Sequence, residues 1–109
     1  MEFVKVAKCA DLPAGKMMMV TANGKEILLA NVAGAYSAIA NQCTHLGGSL
    51  VKGELDGCIV KCPRHGAAFD VTTGKAVADA KIAFVKMKVK DETAYSVKVE
   101  GADILVGMA

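Results

Sequence analysis

The sequence predicts an all-β fold, and three observations carry that prediction. Apolar residues recur in short runs or in alternation, not at the three- and four-residue spacing of an amphipathic helix. Glycine-containing turn pairs interrupt these runs about every ten residues, the spacing of short strands joined by tight loops. Near the end of the chain, Val85, Met87 and Val89 alternate with Lys86, Lys88 and Lys90, and Tyr95, Val97 and Val99 alternate with Ser96, Lys98 and Glu100. Such alternation gives a strand one buried and one wet face.

In chain order, Phe3 to Ala7 reads as a first strand, broken by Asp11-Leu12-Pro13-Ala14-Gly15. Met17 to Val20 enters a second, and Asn23-Gly24 supplies the positive φ of a two-residue type I′ hairpin before Glu26 to Val32. The three consecutive methionines cannot converge on one ion, because neighbouring side chains in a strand point to opposite faces; core packing is their expected role. Gly34 marks the next turn, and Tyr36 to Ala40 is a strand with Tyr36, Ala38 and Ala40 on one face. Further on, Asp56-Gly57 reads as the tight turn of a hairpin ending at Ile59-Val60. Phe69 to Val71, the turn Thr72-Thr73-Gly74 and Ala76-Val77 form another hairpin. Asp91 to Ala94 is read as the loop joining the two alternating strands, and Ile104-Leu105-Val106 closes the sheet. The three lysines at 86, 88 and 90 read as a solvated face or protected strand edge, with docking of an acidic partner as the alternative.

With 109 residues the chain is expected to be one domain, 1–109, small enough that a bound cofactor contributes to its stability. No apolar run approaches the eighteen or so residues that span a bilayer, so no membrane role is expected. The start lacks a basic segment followed by an apolar stretch and a cleavage site, which makes cytoplasm the default location. Thirteen basic and eleven acidic residues are spread along the chain, giving a net charge of +2 with no basic tract. With no Trp and only five Phe and Tyr, there is little for bases to stack on, and nucleic-acid binding is not indicated. Neither a dinucleotide-binding fingerprint nor a nucleophile–base pair is present, so the chain is not expected to be an enzyme by itself.

One stretch stands apart. Cys43-Thr44-His45-Leu46-Gly47-Gly48 and Cys62-Pro63-Arg64-His65-Gly66 each bring together a cysteine and one of the chain's two histidines, with sixteen residues between His45 and Cys62. Two thiolates and two imidazoles can hold one zinc ion in a tetrahedron or a two-iron cluster with histidines on one iron. Classical zinc fingers draw like ligands from each element, whereas here each element gives one of each kind. That arrangement suits a cluster with unlike ends. Cys9 and Cys58 are left over and read as small, buried, reduced side chains.

Cys-Thr-His-Leu-Gly and Cys-Pro-x-His-Gly, so spaced, resemble the two cluster loops of the Rieske [2Fe-2S] family. The resemblance is specific from Asn41 to about Val77. It implies a Rieske-like fold of small antiparallel sheets, with a cluster-binding subdomain over about 41–77 formed by the two loops. It also implies one [2Fe-2S] cluster, with Cys43 and Cys62 on the outer iron and His45 and His65 on the inner iron, their free ring edges at the surface. Gly47, Gly48 and Gly66 would permit close backbone approach to the sulfurs, and Pro63 would stiffen the second loop.

Quinol-oxidising members of the family carry two further cysteines, a serine and a tyrosine near the cluster. The corresponding positions here are Gly48, Arg64, Ala67 and Phe69. Fewer hydrogen bonds to the cluster imply a potential toward the low end of the family's range of about −150 to +300 mV. That profile resembles the free-standing ferredoxins that pass electrons from a flavin-containing ferredoxin reductase to a terminal non-haem iron oxygenase. A monomeric one-electron carrier is therefore expected, with Leu46, Pro63 and Arg64 framing the exposed histidine edges. A subunit or sensor of another reductase, such as nitrite reductase, and a structural zinc module are the alternatives. Oxidised iron should acidify the free N–H groups of His45 and His65, so a potentiometric titration should show the potential falling as pH rises into the alkaline range.

Overall fold

Backbone pairing in the computed structural model follows the strand-and-turn pattern through most of the chain. The structure describes residues 1–42, 49–63, 66–78, 80–82, 85–87 and 90–108. β1 (Glu2–Lys8) and a 3-10 turn (Cys9–Asp11) precede β2 (Met17–Ala22), β3 (Lys25–Val32) and β4 (Ala35–Ala40). A second 3-10 turn, Leu50–Lys52, leads to β5 (Glu54–Asp56), β6 (Ile59–Lys61), β7 (Ala68–Asp70) and β8 (Ala76–Ala78). Then follow β9 (Ala80–Ile82), β10 (Val85–Met87), β11 (Ala94–Tyr95), β12 (Val97–Glu100) and β13 (Asp103–Met108).

These strands form four antiparallel sheets, in the orders β11-β4-β3-β2, β1-β13-β12, β5-β6-β7-β8 and β10-β9. The first is the centre of the molecule, because β3 is buried from Ile27 through Asn31 without a break. Successive side chains of a strand point to opposite faces, so such a run requires cover on both. On one face Ile27, Leu29 and Ala38 pack with Ala7 of β1 and Ile104, Val106 and Met108 of β13. On the other, Leu28, Ala30 and Ile39 pack with Leu50, Val60, Cys62, Ala67, Phe69 and Val71. Phe69 is the largest fully buried side chain among the described residues. Burying it contributes about 1.5–3 kcal/mol.

The methionines divide as alternation requires. Met17 packs against the second core, Met18 against the first, and Met19 is 43% exposed.

Two hairpin turns show why their residues stand where they do. Ala22 pairs with Lys25, and the intervening Asn23 and Gly24 have φ of 51° and 77°, as a type I′ loop demands. Val32 likewise pairs with Ala35 across Ala33 and Gly34, at φ of 52° and 94°. Alanine is a poor occupant of that left-handed region, and the turn is braced by Asn31. The Asn31 Oδ1 accepts the Gly34 N–H at 2.8 Å, and its Nδ2 donates to the Leu12 carbonyl at 2.8 Å.

Three expectations need correction. The β5–β6 loop is Gly57-Cys58, one residue later than Asp56-Gly57, because Asp56 pairs with Ile59 and Gly57 carries the positive φ of 61°. The alternating strands near the end are not hairpin partners: β10 pairs with β9, β11 with β4, and β12 with β13. Nor is the second of them cleanly two-faced, since Tyr95 and Val97 are half-buried and Val99 is 46% exposed.

Residues Asp91 to Thr93 form a strap, not a hairpin loop. The Glu92 N–H donates to the Gly74 carbonyl at 2.7 Å, the Ala76 N–H to Asp91 Oδ1 at 2.8 Å, and the Ala40 N–H to the Thr93 carbonyl at 2.9 Å. The strap thus ties the β7–β8 turn to the central sheet. Of the lysine patch, Lys88 and the side chain of Lys86 lie outside the described residues.

A left-handed alanine costs about 1–2 kcal/mol, which asparagine largely avoids. Ala33→Asn is therefore expected to stabilise the protein by about 1 kcal/mol, read as a higher midpoint in a denaturant titration.

Candidate metal centre

The residues that flank each segment bearing sequence-predicted ligands form a tight neck. The first is closed by Asn41, which follows β4 and is only 1% exposed. Its carbonyl accepts the Leu50 N–H at 2.8 Å, its Oδ1 accepts the Val51 N–H at 2.9 Å, and its Nδ2 donates to Ser49 Oγ at 2.9 Å. Gln42 and Ser49 pair as an isolated antiparallel bridge. The residues on either side of 43–48 are therefore held together.

The second neck is the end of the β6–β7 hairpin. Lys61 pairs with Ala68, and the Cys62 N–H donates to the Ala67 carbonyl at 2.7 Å. Gly66 has φ of 79°, and among the described residues nothing lies close to where its Cβ would stand. That left-handed backbone favours glycine whatever the space around it. Pro63 is exposed at the tip.

Shared packing and one close contact bring the two necks together. Leu50, which follows the first loop, belongs to the same buried cluster as Cys62 and Ala67, which flank the second. At Gly53 a methyl group would overlap the carbonyl of Lys61, the residue before Cys62. An open hollow of about 330 Å³, lined by Lys52, Gly53, Glu54, Lys61, Cys62 and Pro63, lies against this junction.

Of the four expected ligands, Cys62 is placed directly. It is 4% exposed, at the border of the apolar core. Cys43, His45 and His65 lie outside the described residues, as do Gly47, Gly48, Leu46 and Arg64, but the residues flanking them are placed at the two necks. A nearly buried thiol among Ala67, Phe69 and aliphatic side chains suits a soft, weakly charged centre, and the donor set of two thiols and two imidazoles suits a cluster with unlike ends. Ala67 and Phe69, 1% and 0% exposed, offer no hydroxyl to it. Sequence reasoning missed Asn41, Ser49 and Gly53. Only their positions relative to the motif could have signalled them.

A profile of the Rieske [2Fe-2S] domain matches residues 2–87. The chain belongs to the Rieske [2Fe-2S] family. Among its relatives is the ferredoxin component of the naphthalene 1,2-dioxygenase/salicylate 5-hydroxylase systems of Ralstonia sp., 36% identical over 97% of this chain and 95% of that one. The ferredoxin of carbazole 1,9a-dioxygenase from Nocardioides aromaticivorans IC177 superimposes with a TM-score of 0.84 at 30% identity, covering 97% of both chains. A ferredoxin solved as a complex of reduced oxygenase and oxidised ferredoxin in carbazole 1,9a-dioxygenase gives a TM-score of 0.80 at 28% identity, over 95% of this chain and 91% of that one. This Rieske protein is accordingly an electron carrier of the ferredoxin type with one [2Fe-2S] cluster, and not itself a catalyst.

The two remaining cysteines of the Rieske chain are half-buried, more open than the sequence suggests. Cys9 packs with the first core and Cys58 with the second, so the central sheet stands between them and they cannot pair with each other. The Tyr36 side chain is hydrogen-bonded to Cys9. That bond, then loss of water, then repulsion by the thiolate, raise the phenol above its ordinary 10.0. The folded state holds this proton more tightly than the unfolded state does. The resulting stability is therefore present below pH 10.0 and is lost as pH rises through the folded value. In an alkaline absorbance titration, Cys9→Ala is expected to bring the ionisation of Tyr36 to lower pH.

Proposed function

We propose that Cys43, His45, Cys62 and His65 hold the cluster, Cys43 and Cys62 as thiolates on its outer iron and His45 and His65 as imidazoles on its inner iron. The observation that carries this reading is the joining of the two necks. Asn41 pins the ends of the loop bearing Cys43 and His45, and the Cys62–Ala67 bond pins the loop bearing His65. Residues flanking both loops then pack into one core. On this reading 1–109 is a single domain with its cluster-binding subdomain over about 41–77.

When bound, the cluster takes up and gives back one electron. The protein keeps one side of the site dry through Leu50, Cys62, Ala67 and Phe69 and leaves Gln42 and Pro63 exposed beside the loops. The histidine ring edges at that exposed end would be the contact through which the electron passes. The carrier is low-potential, since Ala67 and Phe69 supply no hydroxyl.

The relatives support a choice of partners. The chain matches ferredoxin components of aromatic-ring dioxygenase systems along nearly its whole length. We therefore assign it electron transfer from a flavin-containing ferredoxin reductase to a terminal non-haem iron oxygenase that hydroxylates rings, working as a monomer in the cytoplasm. Among the described residues no helix is long and apolar enough to cross a membrane.

Low-temperature EPR of the dithionite-reduced protein, with metal analysis and potentiometric titration, tests this. A rhombic Rieske-type signal, two irons per chain and a potential near or below zero are expected. A colourless protein with one zinc would defeat the assignment, and a markedly positive potential would redirect it to respiratory-type partners. In the same titration Phe69→Tyr, which introduces a hydroxyl into the buried cluster that includes Cys62, is expected to raise the potential.

A further inference from the structure

Five residues, 49–53, join the first loop to the strand pair that carries the second. Both ends of this segment are held by contacts that a mere connection would not need. At its start, Asn41 commits three polar groups to three successive residues: Nδ2 to Ser49, the carbonyl to Leu50 and Oδ1 to Val51. The Gln42–Ser49 bridge already closes the loop. What the buried amide adds is a fixed direction for the chain leaving it, because three bonds to successive residues leave no freedom to pivot.

At the segment's end stands Gly53, with φ of −85°, an angle open to any residue. Gly15, Gly24, Gly34, Gly57, Gly66 and Gly101 all have positive φ and no described atom where a Cβ would be. Gly53 is the reverse case. Its backbone demands nothing, but a side chain would collide with the Lys61 carbonyl, immediately before Cys62. The Gly53 N–H is also donated to the Leu50 carbonyl at 2.9 Å, which holds the intervening turn closed.

We propose that Asn41 and Gly53 are positioning residues that make 49–53 a rigid spacer. They set the separation and relative orientation of the Cys43–His45 pair and the Cys62–His65 pair. The proposal rests on the reading that those four residues are the ligands. Neither Asn41 nor Gly53 touches iron on this account. They act through the loops, and their effect is on the geometry the cluster is held in.

The test compares the cluster-bearing wild type with Asn41→Ala, Gly53→Ala, Asn41→Asp and Asn31→Ala. Asn31 is the built-in control. It is an equally buried amide, 5% exposed, that braces the Ala33-Gly34 turn away from the two necks. The readouts are EPR g values, midpoint potential, thermal midpoint and the rate of iron release to a chelator.

Asn41→Ala and Gly53→Ala are expected to move the g values and the potential and to release iron about tenfold faster, the scale on which outer contacts tune metal sites. Asn31→Ala should lower the thermal midpoint and leave spectrum and potential as they are. Asn41→Asp still accepts from the Val51 N–H and can accept the Ser49 hydroxyl, but it loses the donor that faces Glu26 Oε1 at 3.5 Å, so it should return the g values toward those of the wild type in part. If Gly53→Ala fails to fold, the Asn41 pair alone decides. Wild-type g values and potential in Asn41→Ala, or an equal change in Asn31→Ala, would overturn the spacer and leave the ligand assignment standing. A wild-type protein without a Rieske-type signal would overturn both.

Discussion

Burial of β3 on both faces is the constraint on which the rest of this structure depends. Ile27, Leu28, Leu29 and Ala30 are all fully buried and follow one another in sequence, so no single sheet packed on one side could satisfy them. The chain meets the demand by building two cores, one closed by β1 and β13 and the other by the strands around Cys62. Cys62 is thereby placed on a wall that cannot shift without exposing apolar surface. At about 25 cal/mol per Å² of apolar area, even a small opening of the second core would be costly.

That arrangement separates two tasks. The first core holds the molecule together and contains nothing that the proposed redox chemistry uses. The second is both packing and proposed site, since Cys62, Ala67 and Phe69 belong to it. Keeping a thiol and two groups without hydroxyls together in one dry cluster serves stability and redox tuning with the same side chains. The polar work is moved outward to Asn41 and Ser49 at the first neck, where side-chain bonds can be satisfied without entering the apolar interior.

What was legible in the sequence was whatever a single residue's chemistry enforces. Asn23-Gly24 announces its turn because few residues accept positive φ, and the two Cys-x-His-type segments announce the family because thiolate and imidazole at that spacing have few other uses. Gly34 marks the next turn but Ala33 hides its form, because alanine is not where the rule would place a left-handed residue and the bracing Asn31 comes from outside the loop. The partners of β10 and β12 were illegible for a different reason. Alternation says which face of a strand is buried but not which strand lies beside it, and here the strap from Asp91 to Thr93 carries the chain elsewhere. Asn41 and Gly53 look in sequence like ordinary loop residues; only the three bonds of one and the crowding at the other distinguish them.

The strap itself has a mechanical meaning. It bonds to the Gly74 carbonyl, to Ala76 and to Ala40, and so stitches the tip of the β7–β8 hairpin to a strand of the other sheet. Two sheets that share only side-chain packing can breathe apart as separate units, each with its own opening free energy. Two sheets sewn together through backbone amides must open as one. The half that holds Cys62 therefore borrows the resistance of the larger half to transient opening, and its layers stay together while the surface around them moves.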